Sequence, residues 1–256
     1  YEKLNLNNLE EVKVFFKNNK YFDVIIFLVG LAHKKGKNKD LNDFRKTNVK
    51  TAEVLTNILK NENKIPSKFI FFSTISIYGE RYYLEEYNED TEPKPISPYA
   101  VTKLECENYL KSVIDNKKLW IIRPAPVYSE KYLNNIDRRT RIKNIYYKIG
   151  NGNFKLSLCN IKNIHNVILG IINDKIPCDT YNLSDKNHYS YNELLNFKSV
   201  DKSFKVPVFL IKLLYYVGKI TNNIFLIENS IKLMSNNFFP SKKIQKFIEI
   251  KFSLTK

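Results

Sequence analysis

The chain has 256 residues, with 42 Lys and Arg against 26 Asp and Glu, a formal net charge of +16, and 43% hydrophobic residues. That length and apolar content suit an α/β core in one large domain or two closely joined ones, and exclude a long disordered chain. The lysines are spread from end to end among many Asn, Ile and Tyr, so the charge reads as compositional drift; with no groove-reading motif, nucleic acid is not an expected partner.

Leu9, Val12, Phe15 and Phe16 mark a first helix. The run from Asp23 to Gly30 reads as a buried parallel strand with a glycine at its carboxyl end. Gly30 is either a turn glycine or a point where backbone passes close to a ligand. His33 follows at a loop position. Leu41 to Leu59 reads as one long helix with Phe44, Val49, Ala52, Leu55 and Ile58 at apolar positions. Asn48 lies inside it, either facing solvent or buried and in need of partners.

Phe69-Ile70-Phe71-Phe72 is an unbroken apolar run bounded by Pro66 and by the hydroxyls of Ser73, Thr74 and Ser76. It reads as a buried strand ending at the carboxyl edge of an open sheet, where ligands bind. After an acidic, proline-bearing segment, Pro98 opens a helix in which Tyr99, Lys103 and Glu107 share one face. A phenol, with an ordinary pKa of about 10, is a base at neutral pH only beside a positive charge, and Lys103 is one turn away. Leu119 to Tyr128 gives a further buried strand running into a loop with Pro124 and Pro126.

From Ser129 the strand–helix alternation breaks down. Asp137 to Arg141 holds the densest arginine cluster, including Arg138 and Arg139. It is either a solvated loop or a site for a diphosphate, whose oxygens guanidinium binds in pairs. Gly150-Asn151-Gly152 reads as a turn, and Ser190 with Glu193 as a capped helix start. Val206 to Val217 and Ile224 to Met234 read as two amphipathic helices, and Ser241 as the cap of a last short one. Cys106, Cys159 and Cys178 are too few and too far apart for a metal knuckle or a disulfide framework, and their odd number fits a reducing compartment, so no metal and a cytoplasmic location are expected. No window reaches the ~20 apolar residues of a membrane span.

The strand-end hydroxyls, then Tyr78-Gly79, the acidic loop and Ser97-Pro98-Tyr99-Ala100-Val101-Thr102-Lys103 resemble the active-site segment of the extended short-chain dehydrogenase/reductases, in particular the NAD-dependent sugar-nucleotide epimerase/dehydratase group. The similarity runs from about Asp23 to Leu195. It implies a Rossmann-type doubly wound parallel sheet with a smaller mixed α/β C-terminal substrate domain, the cofactor part at residues 1–128 and the nucleotide-sugar part at 129–256. It also implies Thr74, Tyr99 and Lys103 as catalytic residues. Cofactor contacts would come from Gly30, Leu31, Asn48, Ser73, Tyr99, Lys103 and Pro124, and substrate contacts from Ser76, Pro126, Arg138 and Arg139. The cofactor is NAD, with NADP as the alternative, and the family leaves room for a homodimer.

The family opens with a strand, a Gly-x-x-Gly-x-x-Gly loop and a helix, and no glycine precedes Gly30 here. The resemblance therefore implies a chain lacking its first strand–helix units, ~50 residues judged from the size of such units, and inactive in this form. Family members that dehydrate their sugar carry an Asp-Glu pair after the threonine; here those positions are Ile75 and Ser76. The expected activity is thus epimerisation or 4-keto reduction at carbon 4 of a nucleotide-linked hexose, a UDP-sugar first, in cell-surface polysaccharide biosynthesis. The alternative is a catalytically inactive Rossmann-like binding module.

Overall fold

The apolar run after Pro66 forms strand in full, and its residues Phe69, Ile70 and Phe71 are wholly buried. The computed structural model describes residues 3–18, 21–32, 41–79, 81 and 86–254, so His33 lies outside the described residues. The chain divides into two units: residues 1–77, 95–123 and 177–180, and residues 78–94, 124–176 and 181–256.

In the first unit, α1 (Leu9–Asn18) precedes β1 (Val24–Phe27); then come α2 (Leu41–Asn48), α3 (Lys50–Asn61), β2 (Lys68–Phe72), α4 (Pro98–Val113) and β3 (Leu119–Pro124). β1 pairs in parallel with β2, and β2 in parallel with β3. Val12 and Phe16 of α1, Leu55, Ile58 and Leu59 of α3, and Cys106 and Leu110 of α4 pack on Phe69, Phe71 and Ile121 in one core. Helices therefore cover the face of the parallel sheet that carries Phe69, Phe71 and Ile121. β1 departs from the expected burial: it stands at the sheet edge with Ile26 at 38% exposure. An apolar strand sequence becomes a buried strand only when both its flanks are covered.

The long helix expected from Leu41 to Leu59 is two helices, broken at Val49. The side chain of Asn48 is drawn onto the loop after β1, and the Thr51 hydroxyl donates back to the Thr47 carbonyl. Such back-bonding bends helices.

The second unit begins its regular structure with β4 (Val127–Tyr128), α5 (Asn134–Thr140), β5 (Arg141–Ile142), β6 (Ile145–Ile149), β7 (Lys155–Ser157), β8 (Cys159–Asn160) and α6 (Ile161–Ile172). It continues with β9 (Thr180–Leu183), β10 (His188–Ser190), α7 (Tyr191–Phe197), β11 (Phe204–Val206), α8 (Val208–Ile220) and α9 (Ile224–Met234). Its small sheets are mixed: β4 with β8 and β11 with β6 are parallel, β5 with β6 and β10 with β7 antiparallel.

The Asp185 carboxylate is the polar hub of this unit. It accepts from the Tyr128 and Tyr189 hydroxyls at 2.7 and 2.9 Å, and from the Asn160 N–H and the Asn163 amide at 2.7 and 2.9 Å. Ser190 and Glu193 form the expected capping box at α7. Ser241 caps nothing: the last short helix, Ile244–Lys246, begins at Lys243 without a side-chain cap, and the Ser241 hydroxyl donates to the Ser184 carbonyl at 2.8 Å. Competition from a buried neighbour has overridden the local capping signal.

Candidate active site

The site is built where β1 and β2 of the first unit end. Ser73 closes β2 by donating its N–H to the Ile122 carbonyl at 2.7 Å, and its hydroxyl is buried without a hydrogen-bond partner among the described residues. The Thr74 hydroxyl accepts from the Ser76 N–H at 3.2 Å, starting the short helix Ile75–Tyr78. Ile75 is buried and Ser76 half-buried. Neither can do acid–base work at neutral pH.

Pro98 sits in the first turn of α4, as the missing N–H of proline allows. The inward face of this helix is polar as well as apolar: Thr102, Lys103 and Glu107 are buried beside Ala100, Cys106 and Leu110. Glu107 holds Arg123 of β3 in a buried ion pair. Lys103 places its ammonium 4.2 Å from the centre of the Phe71 ring. Burial pushes that ammonium down to about 8, against an upward pull from Cys106 and Glu107. The same burial pushes the Cys106 thiol up to about 12, so it stays protonated.

Tyr99 is half-buried, and its phenol is raised by burial, with a hydrogen bond to the Thr74 side chain acting in the opposite sense. The expected lowering of the phenol by Lys103 is not what the side chains show: the groups that shift it are its burial and Thr74, and burial wins. Tyr99 and Thr74 are nonetheless brought together from the two ends of the motif.

Asn48 is fully buried, and its partners settle the alternative left open by the sequence. Its amide oxygen accepts from the Leu31 N–H, and its amide nitrogen donates to the Leu31 carbonyl at 3.3 Å and to the Thr102 hydroxyl at 2.9 Å. Gly30 lies beside this clamp: a Cβ added there would stand 3.5 Å from the Lys103 ammonium and 3.8 Å from the Asn48 amide oxygen. Gly30, Leu31, Asn48 and Lys103 therefore form one constellation. Sequence reasoning missed Thr102 and the Glu107–Arg123 pair. Their signal was a polar face on a helix packed against a sheet, legible only once Phe71 and Arg123 were known to lie under it.

The remaining expected residues lie in the second unit. Pro124 ends β3, and Pro126 follows, its carbonyl accepting from the Cys159 N–H at 3.1 Å. Arg138 and Arg139 are not on a loop but on α5, the first exposed and the second half-buried. Arg139 acts on the Tyr147 and Tyr191 phenols, and Arg141 is tied to Asp137 at 3.0 Å. A cavity of about 730 Å³ in the first unit is lined by Lys111, Lys117, Leu119, Cys178 and Asp179. It opens at the start of β3, whereas the site described above is at the carboxyl ends of the strands, where open parallel sheets bind ligands.

The sequence model described as NAD dependent epimerase/dehydratase family matches residues 1–173. The chain belongs to that family. No curated protein matches it. Among solved structures, it is similar to a UDP-glucose 4-epimerase of Thermotoga maritima determined with UDP-glucose, at 21% identity and TM-score 0.64, covering 81% of this chain and 71% of that one. A UDP-glucuronic acid 4-epimerase of Bacillus cereus, in complex with UDP-glucuronic acid and NAD, is similar at 19% identity and TM-score 0.67, over 95% and 74% of the two chains. A dTDP-4-dehydrorhamnose reductase of Bacillus anthracis, in complex with NADP, is similar at 17% and 0.63, over 80% and 72%. At these identities the likeness is one of fold: this epimerase/dehydratase family member has the parallel Rossmann-type sheet of those enzymes.

Proposed function

We propose that this family member is an NAD-dependent epimerase or 4-keto reductase acting at carbon 4 of a nucleotide-linked hexose, with a UDP-sugar as first candidate. The observation that carries the reading is the convergence of Thr74 with Tyr99, and of Lys103 with Gly30 and Asn48, at the strand ends. Residues 1–128 take the cofactor role and residues 129–256 the nucleotide-sugar role, with Arg138 and Arg139 offering guanidinium to a diphosphate.

The residues present fit a dinucleotide, NAD or NADP. The buried Ser73 hydroxyl, without a partner among the described residues, the bare backbone at Gly30 and the buried Lys103 ammonium match a ribose diol and the ring it carries. Gly30, Leu31, Asn48, Ser73, Tyr99 and Lys103 would hold it. When bound, the cofactor supplies the hydride acceptor and donor.

The protein's own residues handle the proton. Tyr99, held protonated by its burial, is in the form that donates to a keto oxygen; in the reverse sense the phenolate left by that donation receives the hydroxyl proton of the sugar. Thr74 hydrogen-bonds at the same place, and Lys103 fixes the hydroxyl-bearing partner beside Gly30. Proton transfer by such a positioned group contributes ~10²–10⁴-fold. Ile75 and Ser76 offer no further acid or base, which disfavours elimination of water from the sugar.

The test is turnover of a panel of nucleotide sugars by the full gene-encoded protein, with products followed by NMR. Epimerised or reduced sugar is expected, and Tyr99→Phe should lower the rate at least a hundredfold while sparing nucleotide-sugar binding. A 4-keto-6-deoxy product would overturn the argument from Ile75 and Ser76. Cofactor binding without turnover of any sugar would make the chain a non-catalytic binding module.

A further inference from the structure

The hairpin of α8 and α9 carries apolar side chains on its outside. The inner side of α8 is accounted for: Ile211 packs with Tyr147, Ile149, Tyr191 and Met234, with Val208 and Tyr215 against them. Gly218 brings the two helices together, since a Cβ there would stand 2.9 Å from the Leu226 Cβ and 3.0 Å from the Ile227 backbone nitrogen. The opposite side of α8 remains open. Phe209 is 66% exposed, Leu213 57%, Tyr216 60% and Ile220 83%. These positions recur at intervals of three and four, which places them on one stripe of the helix, and Leu214 and Val217 widen it. An exposed patch of this kind marks an interaction surface.

Charge decides the occupant. From residue 202 to residue 227 the chain carries Lys202, Lys205, Lys212 and Lys219 and no acidic residue. Lys212 and Lys219, seven apart, fall on the same border of the apolar stripe and are exposed. A second copy of this surface would set lysine against lysine with no carboxylate to separate them. A bilayer rich in anionic lipid offers acyl chains to the stripe and phosphates to the lysines, whose stems can lie along apolar surface while the ammonium reaches the headgroups. The 13 residues of α8 extend about 20 Å at 1.5 Å per residue, short of the ~30 Å hydrocarbon core. No helix among the described residues is long and apolar enough to cross a membrane. The geometry is that of a helix lying in the interface.

We infer that the outer face of α8, bordered by Lys212 and Lys219, docks this protein on an anionic membrane surface. The inference stands apart from the reaction proposed above, since none of these residues was assigned to the cofactor or the sugar.

The test is co-sedimentation of the full chain with phosphatidylcholine vesicles and with vesicles of phosphatidylcholine and phosphatidylglycerol. Binding to the anionic vesicles is expected, weakening as salt is raised. Lys212→Ser with Lys219→Ser should weaken it roughly 25-fold, at about fivefold for each lysine near an anionic surface. Phe209→Ser with Leu213→Ser should weaken it at least roughly tenfold, with the circular dichroism spectrum and melting temperature unchanged because both side chains are exposed. Absence of binding to anionic vesicles, or binding insensitive to both double variants, would overturn the inference. Self-association abolished by Phe209→Ser with Leu213→Ser, without vesicle binding, would assign the face to contacts between copies instead.

Discussion

Glu107 and Arg123 meet as a two-pronged ion pair inside the first unit, with Nε at 3.0 Å from Oε1 and Nη2 at 2.7 Å from Oε2. The pair ties α4 to β3 at the level where the helix also carries Lys103. Its charges are out of water, so removing one partner leaves the other buried and uncompensated. Glu107→Ala should destabilise the protein by about 3–5 kcal/mol in urea unfolding, and Glu107→Leu with Arg123→Met by less than either single change. A single-site cost below about 1 kcal/mol would mean that water reaches the pair.

Lys103 should show a trade of stability against activity. Its folded pKa, about 8, lies below the ordinary lysine value. The stability linked to this group is therefore fully present above the ordinary lysine value and is lost as pH falls through about 8. At pH 7 the ammonium is held at a cost on the order of 3 kcal/mol. Lys103→Met keeps the volume and removes the charge, so it should raise the urea midpoint at pH 7, raise it less at pH 10, and remove turnover. A lower midpoint at pH 7 would show that the Phe71 contact outweighs desolvation.

Asn48 holds the strand-end loop by its own side chain. In Asn48→Ala the Leu31 N–H and carbonyl lose their side-chain partner, at a cost of about 1–3 kcal/mol. Hydrogen exchange at the Leu31 amide should accelerate at least roughly tenfold relative to amides in β2. Unchanged exchange would mean that the loop is held from elsewhere.

Gly218 should not tolerate a methyl group. The close approach to the Ile227 backbone nitrogen cannot be relieved by rotating a side chain. Gly218→Ala should lower stability by about 1–3 kcal/mol, measured by thermal melting, by forcing α8 away from α9. Gly30→Ala is the contrasting case: its neighbours stand at ordinary van der Waals distance, so the fold should be kept while cofactor affinity falls.

Spacing alone made several things legible. The apolar run at Phe69–Phe72, the helix opened by Pro98, the capping box of Ser190 with Glu193 and the helix Ile224–Met234 are all local patterns, written in side-chain size, periodicity and turn chemistry within a few residues of each other. The placement of Thr74 just past the end of β2, and of Tyr99 and Lys103 one turn apart on α4, was legible for the same reason, because both are local.

What only the tertiary structure decided depends on neighbours distant in the chain. Tyr99 is raised rather than lowered because burial is a property of packing, not of the Tyr-x-x-x-Lys spacing. The helix expected from Leu41 to Leu59 breaks at Val49, where the Asn48 side chain finds Leu31 and Thr102, 17 and 54 residues away. Ser241 gives up a cap for Ser184, 57 residues away, and β1 keeps Ile26 exposed because a strand's burial is set by what lies beside it. A sequence states what each residue can do, and the desolvation and hydrogen-bond competition that choose among those options arise only when the chain has folded.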